Sequence, residues 1–444
     1  MFKRKITDSL EKWKRDRNGR TALLIEGPHG VGKTTVVTEF ARRAYRRHIF
    51  IDFANCSKSL RSLFDDMSDL DRFFLRLQTL TGVTLEPRNS VIIFDAVQFC
   101  PRARQAIKSL VADGRYDYIE TGAFVSIYPN VKDILIPSEE ESLPMHPMDF
   151  EEFLWAIGRQ VRARALREFS IDLLSAAPLH QLFMEDFRLY MLVGGMPQAV
   201  TAYLTENNFE AVDKAKRCLL HQCRDDFDRL DRTGQAVRLF NAVPHQLARG
   251  TSRFAVSSVL PHKRPSDAYR LIRLLTESQT ITQAHPTNGP GWFMTTDIDP
   301  DRFRLFLADT GLFVTLMFMD KPFSENPLYK ALLCEKSSVS LQYLYTNAVA
   351  QMLTAQERRL VYFTFPNKNK TKSYTIDFLF SEHFKSVPME IKASGYLRHA
   401  ALDAFSQTYA DEISRKIMLT NRPISKRDDI LFLPFYLLPF LPPD

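Results

Sequence analysis

Gly27-Pro28-His29-Gly30-Val31-Gly32-Lys33-Thr34 lies directly between an apolar run, Thr21-Ala22-Leu23-Leu24-Ile25-Glu26, and a helical segment beginning Thr35-Val36-Val37-Thr38-Glu39-Phe40-Ala41. A GxxxxGK[ST] segment between a strand and a helix restricts the fold more than any other feature of the chain. Its glycines let backbone N–H groups turn inward around phosphate oxygens at a helix N-terminus. Lys33 can then reach β- and γ-phosphates, and Thr34 can place its hydroxyl on Mg²⁺. Gly27, Pro28, His29, Gly30, Val31, Gly32, Lys33, Thr34 and Thr35 are therefore expected to bind ATP with Mg²⁺.

A nucleotide-binding sheet needs an acid near that loop. Ser90-Val91-Ile92-Ile93-Phe94-Asp95 is an apolar run ending in one, so it reads as a buried parallel strand whose Asp95 shares the metal with Thr34. His48–Phe53 and Tyr116–Gly122 read as two further strands. Strands alternating with helical patterns imply a parallel sheet covered on both faces. Downstream, Asp149 with Glu152 three residues on predicts a capped helix start.

With 444 residues, 45% of them hydrophobic, the chain can bury more than one core and is expected to hold about two to four domains. Five scattered cysteines without CxxC pairs indicate neither a disulfide framework nor a zinc site, and a reducing cytoplasm fits them. The start of the chain is charged rather than apolar, so it does not read as a signal peptide. The apolar stretch Ile430–Phe440 is too short for a membrane span and is broken by prolines, and a buried strand is expected there.

The formal net charge is +7, and its distribution matters more than its size. Between Gln235 and Leu275 stand Arg238, Arg249, Arg253, Lys263, Arg264, Arg270 and Arg273 against the single acid Asp267. A concentrated cationic surface is the footprint of a face that meets phosphate backbones, here double-stranded DNA through 235–275. The apolar spacing in Gln235–Ala248 and in the segment from Ser266 to Leu275 predicts two helices. With the extended runs Thr280–Thr282 and Gly291–Met294 they suggest a winged helix, a fold that also serves protein interaction. Ser175–Leu230 is helical in pattern, with a break at Gly194-Gly195-Met196-Pro197 that suits a small helical lid.

Further along come Tyr362–Phe365, Ser373–Phe380 with Asp377, and Pro388–Lys392 with Glu390 and Lys392. Residues two apart on a strand share a face, so Glu390 and Lys392 do. An acid on one strand and Glu-x-Lys on the next resembles the PD-(D/E)xK arrangement of restriction endonucleases. In that arrangement Asp377 and Glu390 share a metal and Lys392 positions a hydroxide.

An ordered series of motifs now covers nearly the whole chain. It comprises Gly27–Thr34, Asp95 with Val97-Gln98, Glu120-Thr121-Gly122, Met148–Leu154, Gly194–Pro197 and Asp309-Thr310-Gly311-Leu312. In this the chain resembles a family of prokaryotic AAA-type ATPases with a C-terminal domain called DUF4143. The resemblance implies an α/β chain in five segments. These are an N-terminal helix (1–20), a P-loop ATPase core with an AAA/ASCE-type parallel sheet (21–158), a helical lid (159–232), a winged-helix-like domain (233–320) and a restriction-endonuclease-like domain (325–444). It also implies that Arg224, in an Arg-x-Asp element, reaches bound phosphate, although surface salt bridging explains such an arginine as well.

Three departures from that family bear on chemistry. Asp95 is followed by Ala96 where relatives carry glutamate, which removes the carboxylate that would activate the attacking water. A general base is worth about 10² to 10⁴ in rate, so hydrolysis is expected to be slow unless another acid such as Glu120 takes over. Ala123 stands where relatives have serine, and Thr346-Asn347 where they have Glu-Asn, so the nuclease-like set is one acid short. The leading expectation is an ATP-binding, slow or defective ATPase acting as a nucleotide-dependent switch on DNA. An active ATP-dependent nuclease and a nucleotide-stabilised interaction scaffold stand as alternatives, and a protein partner or homo-oligomer is compatible with all three.

Overall fold

Five segments form one parallel sheet: β1 (Ala22–Glu26), β2 (Arg47–Asp52), β3 (Ser90–Asp95), β4 (Asp117–Gly122) and β5 (Glu140–Pro144). Their order is β2-β3-β4-β1-β5, so β4 is inserted between the strand that feeds the phosphate loop and the strand that ends in Asp95. This is the AAA/ASCE-type arrangement expected above. Side-chain alternation along the strands gives the sheet two distinct faces. Leu23, Ile25, Val91, Ile93 and Ile119 pack with Leu10 and Trp13 of α1 (Ile6–Arg17) and with Val36, Val37 and Phe40 of α2 (Lys33–Ala44). The alternate residues Leu24, Ile92, Phe94 and Tyr118 pack with Phe73, Phe74 and Leu77 of α3 (Leu70–Thr81) and with Ile107 and Leu110 of α4 (Pro101–Asp113). Each such side chain, fully buried, contributes roughly 1.5–3 kcal/mol, so the interior strand positions outweigh any surface contact in this unit.

The computed structural model describes residues 1–125, 131–169, 178–291, 293–333, 340–367, 373–393 and 398–441. Two compact units emerge, Met1–His146 with Glu277–Gln279, and Pro147–Thr276 with Thr280–Asp444. Trp292 and residues 170–177, which fall within the expected lid (159–232), lie outside the described residues.

The second unit begins with α5 (Phe150–Ala156), where the expected capping box is present: Asp149 accepts from the Glu152 amide at 2.8 Å, and the Asp149 amide donates to Glu152 at 3.3 Å. After α6 (Gln160–Phe169) come α7 (His180–Val193), α8 (Pro197–Glu206) and α9 (Phe209–Leu230), with the break between α7 and α8 at the Gly-Gly pair. Gly194 sits at φ 85°, and a Cβ on Gly195 would lie 2.2 Å from the Met148 carbonyl oxygen, so neither position accommodates a side chain.

The basic segment folds as α10 (Gln235–Ala248), α11 (Val256–Val259) and α12 (Pro265–Glu277), followed by β6 (Ile281–Pro286) and β7 (Arg304–Leu307). The expected second strand at Gly291–Met294 is corrected. The Gly291 and Phe293 carbonyls accept from Met294 and from Thr296 and Asp297, which makes this stretch a turn after Gly289-Pro290-Gly291. The strand lies instead at Arg304–Leu307, where Leu305, Phe306 and Leu307 are all buried, antiparallel to β6.

β6 and β7 extend a larger mixed sheet with β8 (Val361–Pro366), β9 (Ser373–Glu382), β10 (Lys385–Lys392), β11 (Lys416–Thr420), β12 (Ser425–Arg427) and β13 (Ile430–Pro434), in the order β12-β13-β11-β10-β9-β8-β6-β7. The apolar C-terminal stretch is a strand only as far as Pro434, after which Phe435–Phe440 turns into a 3-10 helix. Proline has no amide to donate to a ladder, and the pairing with β11 ends at Pro434. α13 (Thr310–Leu316), α14 (Gln342–Ala355) and α15 (Ala400–Thr408) complete the part of this unit that bears on function. Among the described residues no helix is long and apolar enough to cross a membrane.

Candidate nucleotide-binding site

The loop after β1 leaves the strand at a place where no side chain fits: a Cβ on Gly27 would meet the Met145 carbonyl oxygen at 2.4 Å. Gly30 at φ 77° and Gly32 at φ 103° then turn the backbone into α2, whose first residue is Lys33. The Lys33 ammonium donates to the carbonyl oxygens of Gly27 at 2.8 Å and Pro28 at 3.0 Å, which holds the cation inside the curve of the loop. Thr34 and Thr35 are exposed at the helix start, and the Thr34 hydroxyl donates to Asp95 Oδ1 at 2.8 Å.

Asp95 ends β3 and also accepts the hydroxyl of Thr121 from β4. Burial pushes its carboxyl above the ordinary aspartate range, and the hydrogen bonds from Thr121 and Thr34 oppose that shift. Thr34 and Asp95 are thus together at the mouth of the loop, a hydroxyl and a carboxylate of the hard-oxygen type that Mg²⁺ takes. These two residues would hold the ion, which neutralises phosphate charge when bound.

Ala96 follows with φ 54° and ψ 47°, a left-handed step that costs a non-glycine residue roughly 1–2 kcal/mol. Its side chain is a methyl group, so this strained position next to Asp95 carries no proton acceptor.

Glu120 is not brought to this place. It shares a strand face with Tyr118, on the α3/α4 side, whereas Asp95 and Thr121 share the face of Ile93 and Ile119 on the α2 side. It is fully buried beside Glu140, and burial, then the Glu140 charge, push its carboxyl well above the usual range. Arg104 of α4 binds Glu140 through two hydrogen bonds of 2.9 and 2.7 Å. The rescuing role considered for Glu120 therefore has no geometric basis here.

Two contributors escaped the sequence reading. Asp52 ends β2 opposite Asp95, and its charge further raises the Asp95 pKa. Its own oxygens accept from the Ala54 amide and the Asn55 side chain, both at 2.8 Å. Its signal was an acid ending a strand, the pattern that identified Asp95. Arg4, only 5% exposed, donates to the Val31 carbonyl of the phosphate loop at 3.0 Å and to the His146 carbonyl at 2.6 Å. Nothing local in the sequence marks a partner 27 residues away.

The other expected site residues lie in the second unit. Arg224 on α9 donates through Nε and Nη2 to Asn241 at 3.1 and 2.8 Å, an intra-unit contact that occupies its guanidinium. Asp377, Glu390 and Lys392 do converge, since β9 and β10 are antiparallel with Met389 opposite Phe378. The Ile391 amide donates to Asp377 at 2.9 Å, and Lys392 pairs with Glu390 at 2.6 Å.

Burial raises both carboxyls. The Arg304 guanidinium, 3.7 Å from Asp377, chiefly opposes the shift for Asp377, as Lys392 does for Glu390. Thr346 turns its hydroxyl back onto the Gln342 carbonyl at 2.9 Å. Asn347 is fully buried and clamps Leu307 of β7 through both backbone groups, at 2.9 and 3.1 Å.

A parallel sheet in this order, a glycine loop opening a helix and a Thr–Asp pair across it define a P-loop nucleotide-binding protein. Residues 19–154 match the family model of the AAA domain, a match that falls on the parallel sheet and its phosphate loop. Residues 184–322 match a second family model, described as a domain of unknown function, DUF8612, and this is the match found beyond the AAA domain instead of the expected DUF4143. No protein of curated function matches the chain.

Among solved structures, the chain is similar to PCH-2 of C. elegans at 13% identity and TM-score 0.27, over 47% of this chain and 67% of that one. It is similar to Drosophila ORC bound to DNA at 11% identity and TM-score 0.27, over 62% and 86%. Cdc6p of Pyrobaculum aerophilum is similar at 12% identity and TM-score 0.27, over 63% and 86%.

Proposed function

We propose that this AAA-type protein binds Mg·ATP, hydrolyses it slowly, and uses the bound nucleotide as a switch on double-stranded DNA. The observation that carries the reading is a complete phosphate loop and Thr34–Asp95 pair beside Ala96, where a base is missing. Lys33 and the loop amides would hold the β- and γ-phosphates, and Thr34 and Asp95 the metal. The DNA half rests on charge and fold. Arg238, Arg249, Arg253, Arg264, Arg270 and Arg273 are all exposed on a three-helix segment followed by a strand pair.

The nuclease-like set supports a non-cleaving role, because Thr346 stands where a further acid is expected and Arg304 pairs with Asp377, one of the acids that a metal would need. A second reading, a working nuclease, is favoured by the same convergence of Asp377, Glu390 and Lys392. A DNA-nicking assay in Mg²⁺ or Mn²⁺ separates the two. No cleavage is expected, and Asp377-dependent nicking would contradict the first reading.

Duplex affinity is expected to fall steeply with salt, each neutralised phosphate adding about −0.9 to the log–log slope. Joint Arg264→Ala and Arg270→Ala should flatten that slope by about one to two units and weaken binding evenly across sequences. The affinity should also differ between ATP-loaded and nucleotide-free protein. A salt-independent or absent shift would overturn the DNA half, and equal affinities in the two states would overturn the switch.

A further inference from the structure

Residues of α11, of α12, of the stretch just before α11 and of the approach to β7 line a half-open cavity of about 350 Å³ that neither the nucleotide site nor the nuclease-like set uses. Its floor is apolar: Phe254, Leu260, Ile272 and Phe303 line it and are all buried. The Phe254 and Phe303 rings stack at 6.3 Å and 20°, and the Phe254 amide donates to the Phe303 carbonyl at 2.7 Å, so this wall is built from two fixed aromatic planes.

Arg253 and Lys263 also line the cavity, as do Tyr269 and Asp301. The Tyr269 hydroxyl donates to Asp301 at 2.7 Å, which occupies one oxygen of that carboxylate. Lys263 has Asp267 at 3.9 Å as its ion-pair partner, and among the described residues Arg253 has no carboxylate within 4.0 Å. Two cations therefore line the chamber, one of them paired with Asp267 outside it, and the single carboxylate that lines it is already hydrogen-bonded.

Pockets that take small molecules span about 300–1,000 Å³, with apolar walls and a few polar groups that fix orientation. We infer that this cavity is a binding site for a small amphiphilic anion, an aromatic or branched apolar body bearing one carboxylate or sulfonate. The body would lie against Phe254 and Phe303, and the anionic group would lie between Arg253 and Lys263, where charge-assisted hydrogen bonds are available. The inference is independent of whether the outer face of these helices meets DNA.

Two fluorescent probes of similar shape test it on the full chain: the anion 8-anilinonaphthalene-1-sulfonate and its neutral counterpart N-phenyl-1-naphthylamine. The sulfonate is expected to bind with a fluorescence rise at one site per chain, more tightly than the neutral dye. Joint Arg253→Gln and Lys263→Gln, both at the rim, should weaken the sulfonate by about tenfold or more and leave the neutral dye within about twofold. Ala268→Phe, which fills the floor, should remove both signals, with circular dichroism confirming that the chain stays folded. Sulfonate binding unchanged by the charge pair, or a neutral dye that binds as tightly as the sulfonate, would overturn the proposal.

Discussion

Ala96→Glu is expected to raise ATP turnover by about 10²- to 10⁴-fold, the range a positioned general base supplies. The loop lysine and the Thr–Asp pair are in place. Lys33 is held inside the loop, Thr34 reaches Asp95, and Thr121 steadies Asp95 from the neighbouring strand. What is absent is a proton acceptor at the left-handed step after Asp95. Glu120 does not supply it: it lies on the other face of the sheet from Asp95, fully buried beside Glu140. Steady-state phosphate release from the two proteins decides the matter. Equal rates would mean that another carboxylate polarises the water, and Asp52, opposite Asp95, would be the one to substitute next.

Asp309→Ala should unfold the second unit more readily, by about 3–5 kcal/mol, because it breaks a buried charged network. Asp309 is 2% exposed, accepts from the Gly195 amide at 2.5 Å and caps α13 by accepting from Leu312 at 2.8 Å. Lys216 lies close enough to feel its charge, is fully buried, and is brought down to about 8 by that burial. Removing the carboxylate leaves the buried Gly195 and Leu312 amides without their acceptor and takes from Lys216 one of the two carboxylates it feels, Asp213 being the other. At about 2–4 °C per kcal/mol, the melting transition of this unit should fall by roughly 6–20 °C. Asp309→Asn, which keeps an acceptor, should cost less than Asp309→Ala. A melting point within a degree of the original for the alanine variant would contradict this account of the network.

The same network explains why three widely separated motifs stood out in the sequence. Met148 donates to the Gly195 carbonyl at 2.8 Å, Tyr190 to the Met148 carbonyl at 2.7 Å, and Gln351 to the Tyr190 hydroxyl at 2.8 Å. Gly194-Gly195, Met148-Asp149 and Asp309-Thr310 are thus parts of one buried polar cluster. Their spacing could show that they matter but not that they touch.

The phosphate loop, Asp95 and the capping box were legible because each depends on residues within a single turn or strand. Arg4, Asp52 and Arg304 were not, since their roles come from partners 27, 43 and 73 positions away that only the folded sheets bring near. The misplaced strand at Gly291–Met294 shows a related limit. Bulky residues there imitate a strand, and only Gly289, Pro290 and the stretch's own Gly291 betray the turn.

Calorimetric titration of Mg·ATP into the full chain and into its Lys33→Ala variant tests the central claim most directly, because Lys33 is the cation opposite the β- and γ-phosphates. The account predicts saturable binding at one site in the unaltered protein and no measurable binding in the variant. Undiminished binding by Lys33→Ala, or none by either protein, would contradict it.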